Sequence, residues 1–285
     1  MIRALLALAV ICSPGFVQIA NAQINITPDV VYGHKDGLAM TYDVFTPKEN
    51  AKGIGILFMV SGGWYSSWTP PDKAQFMFAP LATKGFTVFA VRHGSSPKYG
   101  IPDAVGDVRR AVRHIRMNAE QFKIDPQKLG VYGMSAGGHL SLMLGTASDE
   151  GDPKSMDPVL KVSDRVQAVV AYVAPTDLTI MVRDHKDRLP AYDRFPALDL
   201  KMDGAKDMSP LLNVSEDDPP TLLIVGVKDD LVPVDHSRKI KTALEEKKVP
   251  VKIVEYPNSG HGLVPDDAKD SITQMADWFE LHLKK

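Results

Sequence analysis

A serine hydroxyl is a weak nucleophile unless it is held clear of the backbone and given a base. Gly133-Met134-Ser135-Ala136-Gly137-Gly138 has the residue types to hold one. It joins a strand-like run, Lys128 to Met134, to a helix-like run, Ser135 to Thr146. Small residues two places before and two after Ser135 let strand and helix approach closely, so that the serine sits on a sharp turn with its Oγ outward. The Ala136 amide then opens the helix, where a developing oxyanion would meet a donor and a favourable dipole. The same glycines could also serve a merely structural turn.

Eight histidines could supply the base. His114, His236 and His282 fall in helix-like segments away from strand ends, and His139 lies one helical turn past Ser135, where it is expected to pack under the elbow. His93 ends a strand and is a minor candidate. His261, in Asn258-Ser259-Gly260-His261-Gly262, directly follows the strand-like run Val251 to Tyr256. That loop belongs at the C-terminal edge of the sheet, where open α/β sheets bind ligands. The imidazole in turn needs a carboxylate to fix its tautomer and to stabilise it as a cation. Asp229 and Asp230 follow the apolar run Leu222 to Val227, and Asp177 follows the strand before it; position alone leaves all three open. A second set of oxyanion donors is offered by Gly62 and Gly63 after the run ending at Val60. Trp64, Tyr65 and Trp68 next to them could line an acyl or sugar subsite, or simply pack their loop on the sheet.

These loops need strands that end together. Strand-like runs occur at Gly37 to Phe45, Gly53 to Val60, Phe86 to Arg92, Lys128 to Met134, Val166 to Val173, Thr221 to Val227 and Val251 to Tyr256. Several are continuously apolar, which suits a parallel sheet covered on both faces. Between them run helical patterns. Asp103 is placed to cap a helix bearing Val105, Val108, Val112 and Ile115 on one stripe, beside Arg109, Arg110, Arg113 and Arg116. Ser271 to Leu283 repeats the pattern. The alternation predicts an α/β class fold, a doubly wound and mostly parallel twisted sheet with helices on both faces. Pro175 to Pro220 carries no strong strand and reads as an insertion between two strands, either a plain surface excursion or a cap-like element that shapes a pocket. The arginine stripe reads as the wet face of its helix, with docking of an anionic polymer as the alternative.

Composition narrows the class. The 285 residues are 44% hydrophobic, with 33 basic and 35 acidic side chains and a formal net charge of −2. That composition excludes global disorder and gives no field for a dedicated nucleic-acid binder. The one cysteine excludes a disulfide framework, and the scattered histidines lack metal-ligand spacing, so neither cofactor nor metal is expected. Met1-Ile2-Arg3, the apolar run Ala4 to Cys12 and the small residues Ala20-Asn21-Ala22 have the layout of a secretory signal peptide cleaved near Ala22. Bulky Ile11 before Cys12 argues against a lipid anchor. The expected organisation is a signal over 1–22, then one domain over 23–285 that contains the insertion at 175–220. The protein is expected in the periplasm or the medium, with no stable membrane insertion; the sequence leaves its oligomeric state open.

Taken together, these residues resemble the α/β-hydrolase superfamily, whose nucleophile, acid and base follow in the order Ser, Asp, His. The closer likeness is to the esterase/lipase group that includes hormone-sensitive-lipase-like and feruloyl or acetylxylan esterase-like proteins. Members carry Gly-x-Ser-Ala-Gly-Gly-His at the elbow and Asp-Pro before its strand, which here are Gly133 to His139 and Asp125-Pro126. The group's Gly-x-x-Asp-x-x-Val-Pro motif appears as Gly226 to Pro233, and this register selects Asp229. One motif departs: the group's His-Gly-Gly-Gly before Trp is Val60-Ser61-Gly62-Gly63 here. The resemblance implies Ser135, Asp229 and His261 as a triad, with Gly62, Gly63 and Ala136 as oxyanion donors. It also implies a carboxylesterase acting on short acyl esters, including those on plant polysaccharides. A small peptidase or amidase, like the prolyl-oligopeptidase catalytic domain, is the alternative; a non-catalytic binding protein on the same scaffold is a third reading.

Overall fold

Runs such as Ile54 to Val60 and Thr221 to Val227 have no polar face to turn to water, so they must lie in a sheet covered on both sides. A computed structural model of the chain describes residues 24–284 and places them so; Met1 to Ala22, the segment expected to be a signal, lies outside the described residues. The strands are β1 (Ile24–Lys35), β2 (Leu38–Pro47), β3 (Ile54–Met59), β4 (Phe86–Val91), β5 (Leu129–Met134), β6 (Ala168–Tyr172), β7 (Thr221–Gly226) and β8 (Val251–Tyr256). They form one sheet in the order β1-β2-β4-β3-β5-β6-β7-β8. β2 pairs antiparallel with β1 and β4. From β4 across to β8 every pairing is parallel. The mostly parallel α/β sheet expected from the sequence is the one present. β1 was not among the expected strands.

The helices are α1 (Pro71–Thr83), α2 (Ile101–Met117), α3 (Ala136–Thr146), α4 (Met202–Asp207), α5 (Asp235–Glu246) and α6 (Pro265–Leu283). Their buried faces make two cores, one on each side of the sheet. α2, α3 and α5 pack with Leu57, Val131, Val169 and Leu223, whereas α1 and α6 pack Phe78, Leu81, Met275 and Phe279 on Ile56, Val88, Val170 and Leu222. Neighbouring residues of one strand thus enter opposite cores, as strand alternation requires.

Two expectations about α2 change. Its N-cap is Gly100 rather than Asp103; Asp103 sits one turn in, and its carboxylate accepts the Gly100 amide at 3.1 Å. The arginine stripe is not a wet face. Arg113 is buried and donates to Asp149 at 2.6 Å and to the fully buried Asp164 at 3.1 Å, while Arg109 also reaches Asp164 and Asp149. Arg110 holds Asp157 at 2.5 Å, and Arg116 donates to the carbonyls of Pro126, Ser163 and Arg165. The stripe clamps the segment between α3 and β6, which leaves little of it to dock a polymer.

The stretch from Pro175 to Pro220 holds only α4 and single 3-10 turns. Leu178, Met181, Tyr192, Leu198 and Ala205 anchor it to the core on the α2 and α3 side. It ends up over the C-terminal edge of the sheet.

Candidate active site

Parallel strands release their chains at one edge, so the loops after β3, β5, β7 and β8 meet there. Ser135 joins β5 to α3 at φ 55° and ψ −120°, in the positive-φ region that a non-glycine residue occupies only under constraint. The constraint comes from both sides: the Ser135 amide donates to Tyr172 O at 2.8 Å, and its carbonyl accepts from the His139 amide at 2.9 Å. A Cβ at Gly133 would stand 2.3 Å from Gly137 O, and one at Gly137 would stand 2.6 Å from Met59 O. Only glycine fits the strand-to-helix crossing, which is the approach the spacing predicts.

The histidine loop and the acid loop are tied together by the Lys228 amide, which donates to Ser259 O at 2.9 Å. Ser259 Oγ in turn bonds Asp267 at 2.6 Å and accepts the Val264 amide at 3.0 Å, fixing the turn that carries His261. Across these loops runs a continuous chain. Ser135 Oγ lies 2.9 Å from His261 Nε2, and His261 Nδ1 lies 2.8 Å from Asp229 Oδ2. The other carboxylate oxygen of Asp229 accepts the amides of Leu231 at 2.9 Å and Val232 at 2.8 Å. Its side chain is 1% exposed, so the charge is met by the protein alone. A carboxylate can only accept; the imidazole proton therefore sits on Nδ1, and Nε2 presents its lone pair to the serine. This chain can move a proton from Ser135 to His261 while Asp229 offsets the new charge.

The rival side chains lie elsewhere. Asp230 is exposed. Asp177 accepts from the Thr179 amide at 3.0 Å and from its hydroxyl at 2.5 Å. His93 is buried at the end of β4 with Nδ1 on Gly94 O at 2.8 Å, and burial pushes its pKa down. His236 is buried in α5, its Nδ1 accepting the Thr176 amide at 3.1 Å; burial pushes its pKa down to about 4.

The glycine loop is a tight turn. Gly62 and Tyr65 exchange two backbone bonds of 2.9 and 3.0 Å, and the central residues Gly63 and Trp64 have φ of 58° and 61°. The Gly62 amide is therefore spent on Tyr65 O, which corrects its expected place among the oxyanion donors. Gly63 carries no such bond and lines the cleft beside Ser135; the Ala136 amide is an open first amide of α3.

That cleft is narrow, about 250 Å3 with its mouth included. Its walls are Trp64, Pro175, Met181, Tyr192, Phe195, Leu231 and Val232, so four of the seven come from the insertion. Tyr192 also fastens the insertion to the acid loop, its hydroxyl donating to Leu231 O at 3.0 Å. Sequence reasoning missed Met181, Tyr192 and Phe195; no motif marks them, since only the folding-over of the insertion brings them to the serine. Of the three aromatics expected at a subsite, Trp64 is a buried wall, whereas Tyr65 at 42% and Trp68 at 58% exposure stand outside the cleft.

The chain is also similar to known proteins. Residues 42–244 match the family model described as BD-FAE. A probable carboxylic ester hydrolase, LipM of Mycobacterium tuberculosis, is 30% identical over 82% of this chain. The chain spans only 55% of that relative's length. Among solved structures, a truncated carbohydrate esterase from gut microbiota superposes with a TM-score of 0.73 at 25% identity, covering 93% of this chain and 99% of that one. The acetyl ester-xyloside bifunctional hydrolase of Caldicellulosiruptor lactoaceticus gives 0.75 at 24% identity, covering 89% of this chain and 95% of that one, a likeness of fold.

Proposed function

We propose that this chain, which belongs to the BD-FAE family of α/β-hydrolases, is a serine carboxylesterase that cleaves short-chain acyl esters through an acyl-enzyme. The observation that carries the reading is the unbroken chain from Ser135 Oγ through His261 to buried Asp229, with steps of 2.9 and 2.8 Å. Ser135 attacks the ester carbonyl as His261 Nε2 takes its proton. The Gly63 and Ala136 amides receive the oxyanion. The imidazolium then protonates the departing alkoxide, and water, activated by the same ring, hydrolyses the acyl-enzyme.

The apolar walls Met181, Tyr192, Phe195 and Leu231 crowd the serine, which favours a small acyl group over a long one. Esters borne on saccharides fit the names of the structural relatives, and they are the substrate class we assign. Segment 1–22 is assigned as an export signal, which intact-mass measurement of protein recovered outside the cytoplasm would test. The activity is tested with a p-nitrophenyl ester series from acetate to octanoate, an acetylated xylan and an aminoacyl anilide. Acetate turnover that is lost in Ser135→Ala supports the assignment. Preferential anilide cleavage would establish a peptidase instead, and an undiminished ester rate in Ser135→Ala would remove the mechanism.

A further inference from the structure

His139 is fully buried, and it touches three separate parts of the site. It stands one helical turn after Ser135, and its own amide donates to Ser135 O at 2.9 Å. Its Nδ1 faces Trp64 Nε1 at 3.3 Å, and its Nε2 faces Met208 O at 2.8 Å. The partners settle the tautomer without ambiguity, because an indole N–H only donates and a carbonyl only accepts. Nδ1 is therefore the acceptor, and Nε2 carries the proton. The indole and imidazole also meet edge to face at 5.4 Å, so both the position and the tilt of Trp64 are set.

Trp64 is the residue that most needs fixing. It holds φ 61° directly after Gly63, a left-handed conformation that a bulky side chain adopts only against a steric cost. The Gly62–Tyr65 pair and the Ser96 amide on Trp64 O already close the turn; without a tether on the indole as well, its strained centre has cause to tilt, and the Gly63 amide would swing with it. Resting on the esterase reading above, we propose that His139 is a positioning residue of the reaction. It locks the Gly63–Trp64 turn against the nucleophile helix and the insertion, through a single neutral imidazole bonded to Trp64 and Met208. Burial pushes its pKa down to about 4, which keeps the ring neutral under ordinary conditions.

The test is a double-mutant cycle on p-nitrophenyl acetate hydrolysis with Trp64→Phe, His139→Leu and the pair. If the two act through one bond, His139→Leu lowers kcat roughly 100-fold, the scale set by a donor misplaced by about 1 Å. KM should stay within about threefold. The pair should be no worse than His139→Leu alone. His139→Gln, whose amide can accept from Trp64 and donate to Met208 O, should recover most of the loss; it also covers the case in which the leucine variant fails to fold. Additive losses, or a glutamine variant as poor as leucine, would overturn the proposal. The rate of Ser135 labelling by a fluorophosphonate is read in parallel, since phosphonylation also places negative oxygen in the hole. A wild type that labels but does not hydrolyse esters sinks the esterase reading alone, and the same cycle on labelling rates then decides the role of His139. A wild type that does neither overturns both.

Discussion

Replacing Asp229 by asparagine gives the sharpest test of the proton chain, because the surrounding backbone dictates which way the amide must lie. Two amides, those of Leu231 and Val232, donate to Asp229 Oδ1 at 2.9 and 2.8 Å. In Asp229→Asn this position has to keep an oxygen; a flipped NH2 would face two N–H donors in a buried site. The NH2 group is thus turned toward His261 Nδ1, which becomes an acceptor. The imidazole proton moves to Nε2 and points at Ser135 Oγ, so the base has no lone pair for the serine. The geometry survives, but the tautomer is wrong. The same inversion in the serine-protease triad costs about 10^4 in kcat, equivalent to about 5 kcal/mol at 1.36 kcal/mol per decade. The expectation here is a loss of that order in kcat for p-nitrophenyl acetate, with KM and thermal midpoint near wild type. A loss below about tenfold would refute the role given to Asp229, and a collapse in stability would show the asparagine to have flipped.

The glycine turn separates two assignments. Gly62→Ala should keep kcat within about threefold, since its amide serves Tyr65 and a Cβ there meets nothing within 4 Å. Gly63→Ala should lose roughly 10^2 in kcat, because its φ is 58° and its Cβ would press on Phe195 at 2.6 Å; equal rates for the two would remove Gly63 from the oxyanion hole. Acid should destabilise the fold before it protonates the carboxylates. His139 and His236 are held neutral with pKa near 4, below the unfolded value of 6.5, so the unfolded state binds more protons between those values and stability falls as pH drops through that window. The cost is about 2 kcal/mol for each by pH 5, to be read from urea unfolding at pH 7 and 5; equal midpoints and slopes would contradict it. Arg113→Met, which strips one partner from the buried Asp164, should cost about 3 kcal/mol of stability and leave kcat unchanged. A stability change within 0.5 kcal/mol in urea, a margin typical of surface substitutions, would return the stripe to the role of a solvated surface.

Local chemistry in the sequence went far toward the fold. Unbroken apolar runs specified a sheet buried on both faces, and seven of its strands lie where those runs are. The first strand escaped because it lies at an edge: β1 is largely exposed, irregular in register after Thr27, and interrupted by Pro28, so it lacks the apolar signal. The arginine stripe misled for a related reason. Its partners Asp149, Asp157 and Asp164 lie far along the chain, so nothing near α2 announces that these cations are neutralised and covered.

What the chain alone determined was the turn at Ser135 and the identity of the groups that follow the strand ends, because both depend on neighbours a few residues away. Glycine at 133 is demanded by the Gly137 carbonyl four residues on, whereas glycine at 137 answers to Met59 O on the neighbouring strand. Which side chains wall the cleft was decided by the tertiary structure, as was the meeting of His261 with Asp229, which position along the chain left open among three carboxylates and only the family motif singled out. Both turn on atoms brought within hydrogen-bond or van der Waals reach from distant segments: His261 meeting Asp229 from 32 residues away, and the insertion laying Met181, Tyr192 and Phe195 over the serine. Such short-range forces act only once the sheet has set the distances.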